Sequence, residues 1–178
     1  CLLVTIFQGD MQMKIVFHEN FKRTDCTSDG ASLSGRMERI MNVLELGGRY
    51  EVLSPEPASH KDLSRAYSQT HITDLAKDTK LFEMASLAVG SAILASEIAF
   101  KQEPTFAYIP PPGHHASTNS SRGYCVFSNV GAALLNLKEK GHLGSAFVLN
   151  FDAHTVDGTV AVLSEWIDAM TLNPMADN

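Results

Sequence analysis

Residues 105–151 read as strand, loop, helix, strand, and this order constrains the fold more than any other feature of the chain. TFAYI (105–109) is a β-rich run and PPPGHHASTNSSRGYCVF (110–127) is a long punctuated loop. SNVGAALLNLKEKG (128–141) has helical composition, with Ser128 placed to cap it and Gly141 to stop it, and SAFVLNF (145–151) is a second apolar run. A strand, crossover helix and strand imply parallel pairing, because antiparallel neighbours need only a tight turn. The fold class expected is therefore α/β: an open, mainly parallel sheet flanked by helices. Ligands of such sheets bind beyond the carboxyl ends of the strands. The two polar clusters of this region, GHH (113–115) and DAH (152–154), both fall at those ends.

The rest of the chain alternates in the same way. KIVFH (14–18) and YEVL (50–53) read as strands, and SGRMERIMNVLELGG (34–48) as a helix with Ser34 as its cap and Gly47 or Gly48 as its stop. Two short helices are expected near Ser59 and near Thr70. KLFEMASLAVGSAILASEIAF (80–100) is the longest helical segment and is apolar almost all round, the pattern of a buried helix. There is no internal repeat.

A chain of 178 residues, 44% hydrophobic and 19% charged, suffices for one domain with its own core. The net charge of −6 and the lack of a Lys/Arg concentration exclude a general nucleic-acid surface. No apolar run is read as a membrane span. Cys1, Cys26 and Cys125 are odd in number and lack finger spacing, so the reading is a reducing compartment, cytoplasmic, without a disulfide framework. Residues 1–12 read as a leader outside the domain, 13–163 as the domain, and 164–178 as a divergent tail.

FVLNFDAHTVDGT (147–159) begins as an apolar strand and ends in Asp152 and His154. In an extended chain, side chains at i and i+2 share a face, so the carboxylate and the imidazole can converge on one cation. The apolar strand before them is expected to leave both partly desolvated. An Asp and a neutral His suit Zn²⁺, although a third protein ligand is required from elsewhere. His114 and His115 follow three prolines and Gly113, on a stiffened loop; imidazoles there can act as general base and general acid. Taken singly, each pair reads as solvated polar groups at a loop or strand end. Together they read as one site.

IPPPGHHAS, RGYCVFSNV and AFVLNFDAHTVDGTV resemble, in order and chemistry, the zinc-dependent histone deacetylase and acetylpolyamine amidohydrolase family, in particular its prokaryotic branch, over about Met13 to Leu163. The resemblance implies an arginase/deacetylase-like fold, incomplete here, and hydrolysis of the amide of acetyl-lysine or acetylpolyamine-type substrates. It implies that His114 and His115 handle the proton of the attacking water, that Asp152 and His154 are two of three zinc ligands, and that Asp157 orients His115. Gly123 and Tyr124 then line the acyl-lysine channel. Asn150 stands where the family usually has an aspartate that partners the first histidine and helps bind a monovalent cation such as K⁺. An amide there leaves His114 less basic and the cation site poorer.

The family's third zinc ligand and its oxyanion-stabilising tyrosine have no counterpart in the sequence, so a truncated or frameshifted deacetylase is expected, its activity in doubt and its exposed sheet edge favouring self-association. Three other readings stand beside this one. A Mn²⁺ ureohydrolase of the arginase type fits FDAHT but needs an aspartate where Val156 stands. A hydrolase using Cys125 as nucleophile competes with the plainer reading of that thiol as a small buried filler. A non-catalytic acyl-lysine-binding module would retain the pocket alone.

Overall fold

The computed structural model describes residues 13–23, 35–101 and 103–174. Ser34, Cys1, Cys26 and the leader proposed for residues 1–12 lie outside the described residues. The element order is β1 (Lys14–Val16), a short 3-10 helix (Glu19–Lys22), α1 (Arg36–Leu46), β2 (Glu51–Leu53), α2 (His60–Leu63), α3 (Gln69–Leu75), α4 (Thr79–Phe100), β3 (Thr105–Ala107), α5 (Asn129–Glu139), β4 (Ala146–Leu149), α6 (Asp157–Leu163) and β5 (Ala169–Leu172).

Among the described residues every pairing of strands is parallel, as the crossover helices require. β1 is central in a three-stranded sheet, order β2-β1-β3, and β4 pairs with β5 in a second sheet. This modifies the crossover reading in one respect: β3 and β4 do not share a sheet. β3 uses an edge on β1, while the βαβ unit that β4 completes is with β5, through α6. That last strand comes from the segment set apart as a divergent tail. Trp166 in the same segment is buried with Val148 and Leu163, and its indole N–H donates to the Gly144 carbonyl at 3.2 Å.

The helices begin where short polar side chains replace missing backbone acceptors. Ser59 and Asp62 form a reciprocal capping box on α2. The helix expected near Thr70 is α3, which Ser68 caps by accepting from the His71 N–H, and Asp78 caps α4. α1 starts at Gly35, at φ 82°. Ser128 sits at the cap position of α5 without capping it: its hydroxyl is bound to that of Thr159 at 3.0 Å, tying α5 to α6.

α4 is the central helix, packed on α5, β1 and β3. By length and composition alone it is apolar enough to cross a membrane, contrary to the sequence reading that no segment is, but its residues from Met84 to Ser91 are all buried within the protein. Gly90 permits the closest approach, since a Cβ there would lie 1.9 Å from the Glu56 carbonyl oxygen. One core cluster gathers Leu63, Tyr67, Ile72, Val89, Phe127 and Val162 behind the polar loop, and another gathers Ile15, Phe17, Phe21, Met41 and Leu87. β4 does not match the buried strand that its sequence suggests. Phe147 is 51% exposed and Phe151 58%, because α5 and α6 cover one face of the β4–β5 pair.

Candidate active site

The loop between β3 and α5 is held against the start of α6 by backbone contacts. The Thr159 N–H donates to the His114 carbonyl at 3.1 Å. A Cβ on Gly158 would stand 2.3 Å from the His115 carbonyl carbon, and one on Gly113 would stand 2.4 Å from the Phe127 carbonyl oxygen. Both glycines are therefore required by close approach. Asn129, buried at the start of α5, donates from its side chain to the Pro111 carbonyl at 3.0 Å. Two histidines on an otherwise polar loop thus have a fixed backbone.

The rings of His114 and His115 lie against each other with centroids 4.0 Å apart and planes tilted by 36°, both partly buried. His115 Nδ1 meets Asp157 Oδ1 at 2.8 Å. The carboxylate acceptor defines the tautomer: Nδ1 carries the proton and Nε2 keeps its lone pair. The sequence had no signal for the next member of the chain, Arg122, whose guanidinium pairs with the other oxygen of Asp157. A cation beside a glycine-aromatic pair has no readable partner until the fold brings 122 and 157 together. Burial, then the charge of Arg122, hold His115 below its ordinary pKa. Burial, then the neighbouring His115, do the same for His114. Both imidazoles are accordingly neutral near pH 7, the form able to accept a proton.

Gly123 and Tyr124 lie on a tight turn closed by the Cys125 N–H to Arg122 carbonyl bond at 2.9 Å, with φ of 55° and 63°. Gly123 lies under the imidazole, since a Cβ would reach within 2.7 Å of His115 Cδ2. Tyr124 pays about 1–2 kcal/mol for its left-handed backbone, and its side chain is exposed. Cys125 is buried and its thiol is pushed up by burial, so it is the filler and not a nucleophile.

Asp152 and His154 do converge, by a route different from the one expected. β4 ends at Leu149, and the following residues turn instead of continuing extended. Asn150 Oδ1 accepts from the Asp152 N–H at 2.9 Å, and Asp152 Oδ1 accepts from the His154 N–H at 2.8 Å. These are two successive side-chain-to-backbone turns of the Asx kind. They bring His154 Nδ1 to 2.8 Å from Asp152 Oδ1. The expectation of partial desolvation fails, since the Asp152 side chain is 44% exposed and that of His154 76%. Burial works to raise the Asp152 carboxyl, but hydrogen bonds from the His154 backbone and ring, with the nearby imidazoles, leave it below the usual carboxylate range.

The two pairs form one cluster. His114 Nε2 lies 3.9 Å from Asp152 Oδ1, and the rings of His115 and His154 are 5.9 Å apart. Asn150 bridges them from behind, with Nδ2 at 3.3 Å from His114 Nδ1. A carboxylate and an imidazole nitrogen that already face each other are donors of the kind a borderline cation such as Zn²⁺ takes, and as a pair they number one short of the three protein ligands of a catalytic zinc site. Among the described residues no group of three His, Cys, Asp or Glu forms a complete metal site.

Comparison with known proteins places the chain in a family. The histone deacetylase domain family matches residues 32–174. A probable deacetylase of Methanothermobacter thermautotrophicus is 28% identical over 158 residues, covering 79% of this chain and 47% of its own. The histone deacetylase-like amidohydrolase of Pseudomonas aeruginosa is 27% identical, over 78% of this chain and 41% of its own. The polyamine deacetylase HDAC10 of Danio rerio is 27% identical over 61% of this chain and 16% of its own. The chain thus spans less than half the length of these relatives. Among solved structures, the HDA15 HD domain superposes with a TM-score of 0.81 at 17% identity, over 92% of this chain and 53% of that one. With the family match running through the histidine loop, the Asp-x-His turn and on to β5, the chain belongs to the histone deacetylase family.

Proposed function

We propose that this chain carries the histidine and metal-ligand portion of a zinc-dependent amidohydrolase acting on acetyl-lysine or acetylpolyamine-type substrates. The observation that supports the reading most is the meeting of the two pairs: His114 within 3.9 Å of Asp152, with His115 tethered through Asp157. The relatives named as deacetylases, one of them a polyamine deacetylase, support the same substrate class.

In this reading Asp152 and His154 hold Zn²⁺, with a further ligand from outside the described residues. Bound there, the ion would polarise the acetyl carbonyl and acidify water. The chain's own residues do the rest. His115 Nε2, with its lone pair exposed by the Nδ1–H···Asp157 bond, removes a proton from the attacking water. Asp157 stabilises the imidazolium that results, and Arg122 keeps that carboxylate fixed. The same imidazolium then returns its proton to the leaving amine. Tyr124 supplies the aromatic wall along the acyl chain, and the Gly123 backbone lies at the same wall.

The test is zinc retention at one ion per chain together with acetate release from an acetyl-lysine peptide and from an acetylated polyamine. Acetate release that is lost in His115→Ala supports the reading. Zinc and peptide binding without acetate release would replace it with a non-catalytic acyl-lysine-binding module.

A further inference from the structure

The two histidines look equivalent in sequence, yet their Nδ1 atoms face opposite kinds of partner. Behind His115 stands the Asp157 carboxylate, which can only accept. Behind His114 stands Asn150, whose amide could present either its oxygen or its nitrogen. Its orientation is not free: Oδ1 accepts the Asp152 backbone N–H at 2.9 Å, which turns Nδ2 toward His114 Nδ1 at 3.3 Å. An NH₂ group donates and cannot accept, so Nδ1 of His114 must be the lone-pair nitrogen. The proton of neutral His114 then sits on Nε2, the atom that faces Asp152 Oδ1 at 3.9 Å on the open side of the cluster.

We propose that Asn150 is a positioning residue that holds His114 as the Nε2–H tautomer, so that the histidine pair is split into a fixed donor, His114, and a single proton acceptor, His115. An aspartate at position 150 would enforce the opposite state, drawing the proton to Nδ1 and giving two adjacent acceptors. With Asn150, the pair presents one N–H and one lone pair to whatever binds between them. That is the complement of a carbonyl oxygen beside an attacking water: His114 donates to the oxygen on which negative charge develops, and His115 takes the water proton. This assignment rests on the reading of the cluster as an amidohydrolase site, but the tautomers themselves do not.

The experiment is therefore long-range ¹H–¹⁵N correlation of the histidine ring nitrogens in ¹⁵N-labelled protein, without metal or substrate, at pH 8, where both imidazoles are neutral. His114 and His115 are assigned from His114→Gln and His115→Gln. The expected result is Nε2–H at His114 and Nδ1–H at His115 in the wild type. In Asn150→Asp the His114 ratio should invert, by about tenfold or more for a hydrogen bond to a charged group, with His115 unchanged. Asn150→Ala, which removes both amide groups, should leave His114 a mixture of the two forms. Wild-type His114 in the Nδ1–H form, or an Asn150→Asp protein with the wild-type ratio, would overturn the proposal. Absence of acetate release bears on the proposed function alone and leaves this measurement standing.

Discussion

Gly158→Ala probes the contact on which the site's geometry depends. The missing side chain of Gly158 lets the first turn of α6 lie on the backbone of the histidine loop. An added methyl would stand 2.3 Å from the His115 carbonyl carbon, 2.5 Å from the Ala116 nitrogen and 2.6 Å from its oxygen. All three atoms are backbone, so no side chain can swing aside. Ordinary contact at about 3.5 Å requires α6 and the loop to separate by roughly 1 Å. That separation would take the 2.8 Å bond between His115 Nδ1 and Asp157 Oδ1 past the hydrogen-bond range, and the 3.1 Å bond from the Thr159 N–H to the His114 carbonyl with it. Overpacking of this kind costs about 1–3 kcal/mol, and each kcal/mol lowers Tm by about 2–4 °C in a chain of this size. Gly144→Ala serves as the control, since nothing lies within 4 Å of the place a Cβ would take and its φ is ordinary. Thermal unfolding by circular dichroism should show a fall of several degrees for Gly158→Ala and none for Gly144→Ala. The Nδ1–H population of His115 should fall in the first variant only. A Gly158→Ala protein with wild-type Tm and an intact His115 Nδ1–H signal would refute the packing described for α6.

Two further outcomes follow from other parts of the molecule. Burial works to raise the Asp62 carboxyl, but the Ser59 hydroxyl and N–H and the Arg65 guanidinium more than offset it and hold the group below its ordinary value of 3.8. The unfolded chain therefore binds this proton more readily, so the stability Asp62 provides is fully present above pH 3.8 and is lost as pH falls through the lower folded value. Acid titration of unfolding below that pH should be shallower in Asp62→Asn than in wild type, and equal slopes would contradict the network. Trp166→Ala should cost about 3–5 kcal/mol, read by denaturant unfolding, because the indole fills the space between β4 and α6 and lies under the Lys138 ammonium at 4.9 Å; a cost under 1 kcal/mol would show that the β4–β5 unit is not anchored there.

How much of this was legible beforehand depends on whether the cause was local. Parallel strands joined by helices follow from the order of apolar runs and Gly/Ser punctuation, and the structure has them. The pairing of particular strands does not follow, because β3 and β4 are adjacent in sequence while their edges are used by β1 and β5. The Asp157–His115 pair was available through the family resemblance, and its contact is present at 2.8 Å. Arg122 was not, since its significance lies wholly in a tertiary contact with Asp157. Asp152 and His154 were singled out for a geometric reason that the backbone does not obey. Alternation along a strand was the argument; two side-chain-to-backbone turns are the fact, and these could have been suspected from N-x-D-x-H, in which each polar residue can accept from, or offer, an N–H two positions on. The exposure of the pair came as a difference for the same reason: a turn beyond the sheet edge lacks the apolar walls of the strand.

On the proposed function, the Asp152–His154 turn and the His114–His115 loop serve one cation from opposite sides. Calorimetric titration with Zn²⁺ tests it most directly. One zinc per chain in the wild type, abolished in Asp152→Ala and in His154→Ala but kept in His115→Ala, is the result predicted; unchanged affinity in both the Asp152 and His154 variants would contradict it.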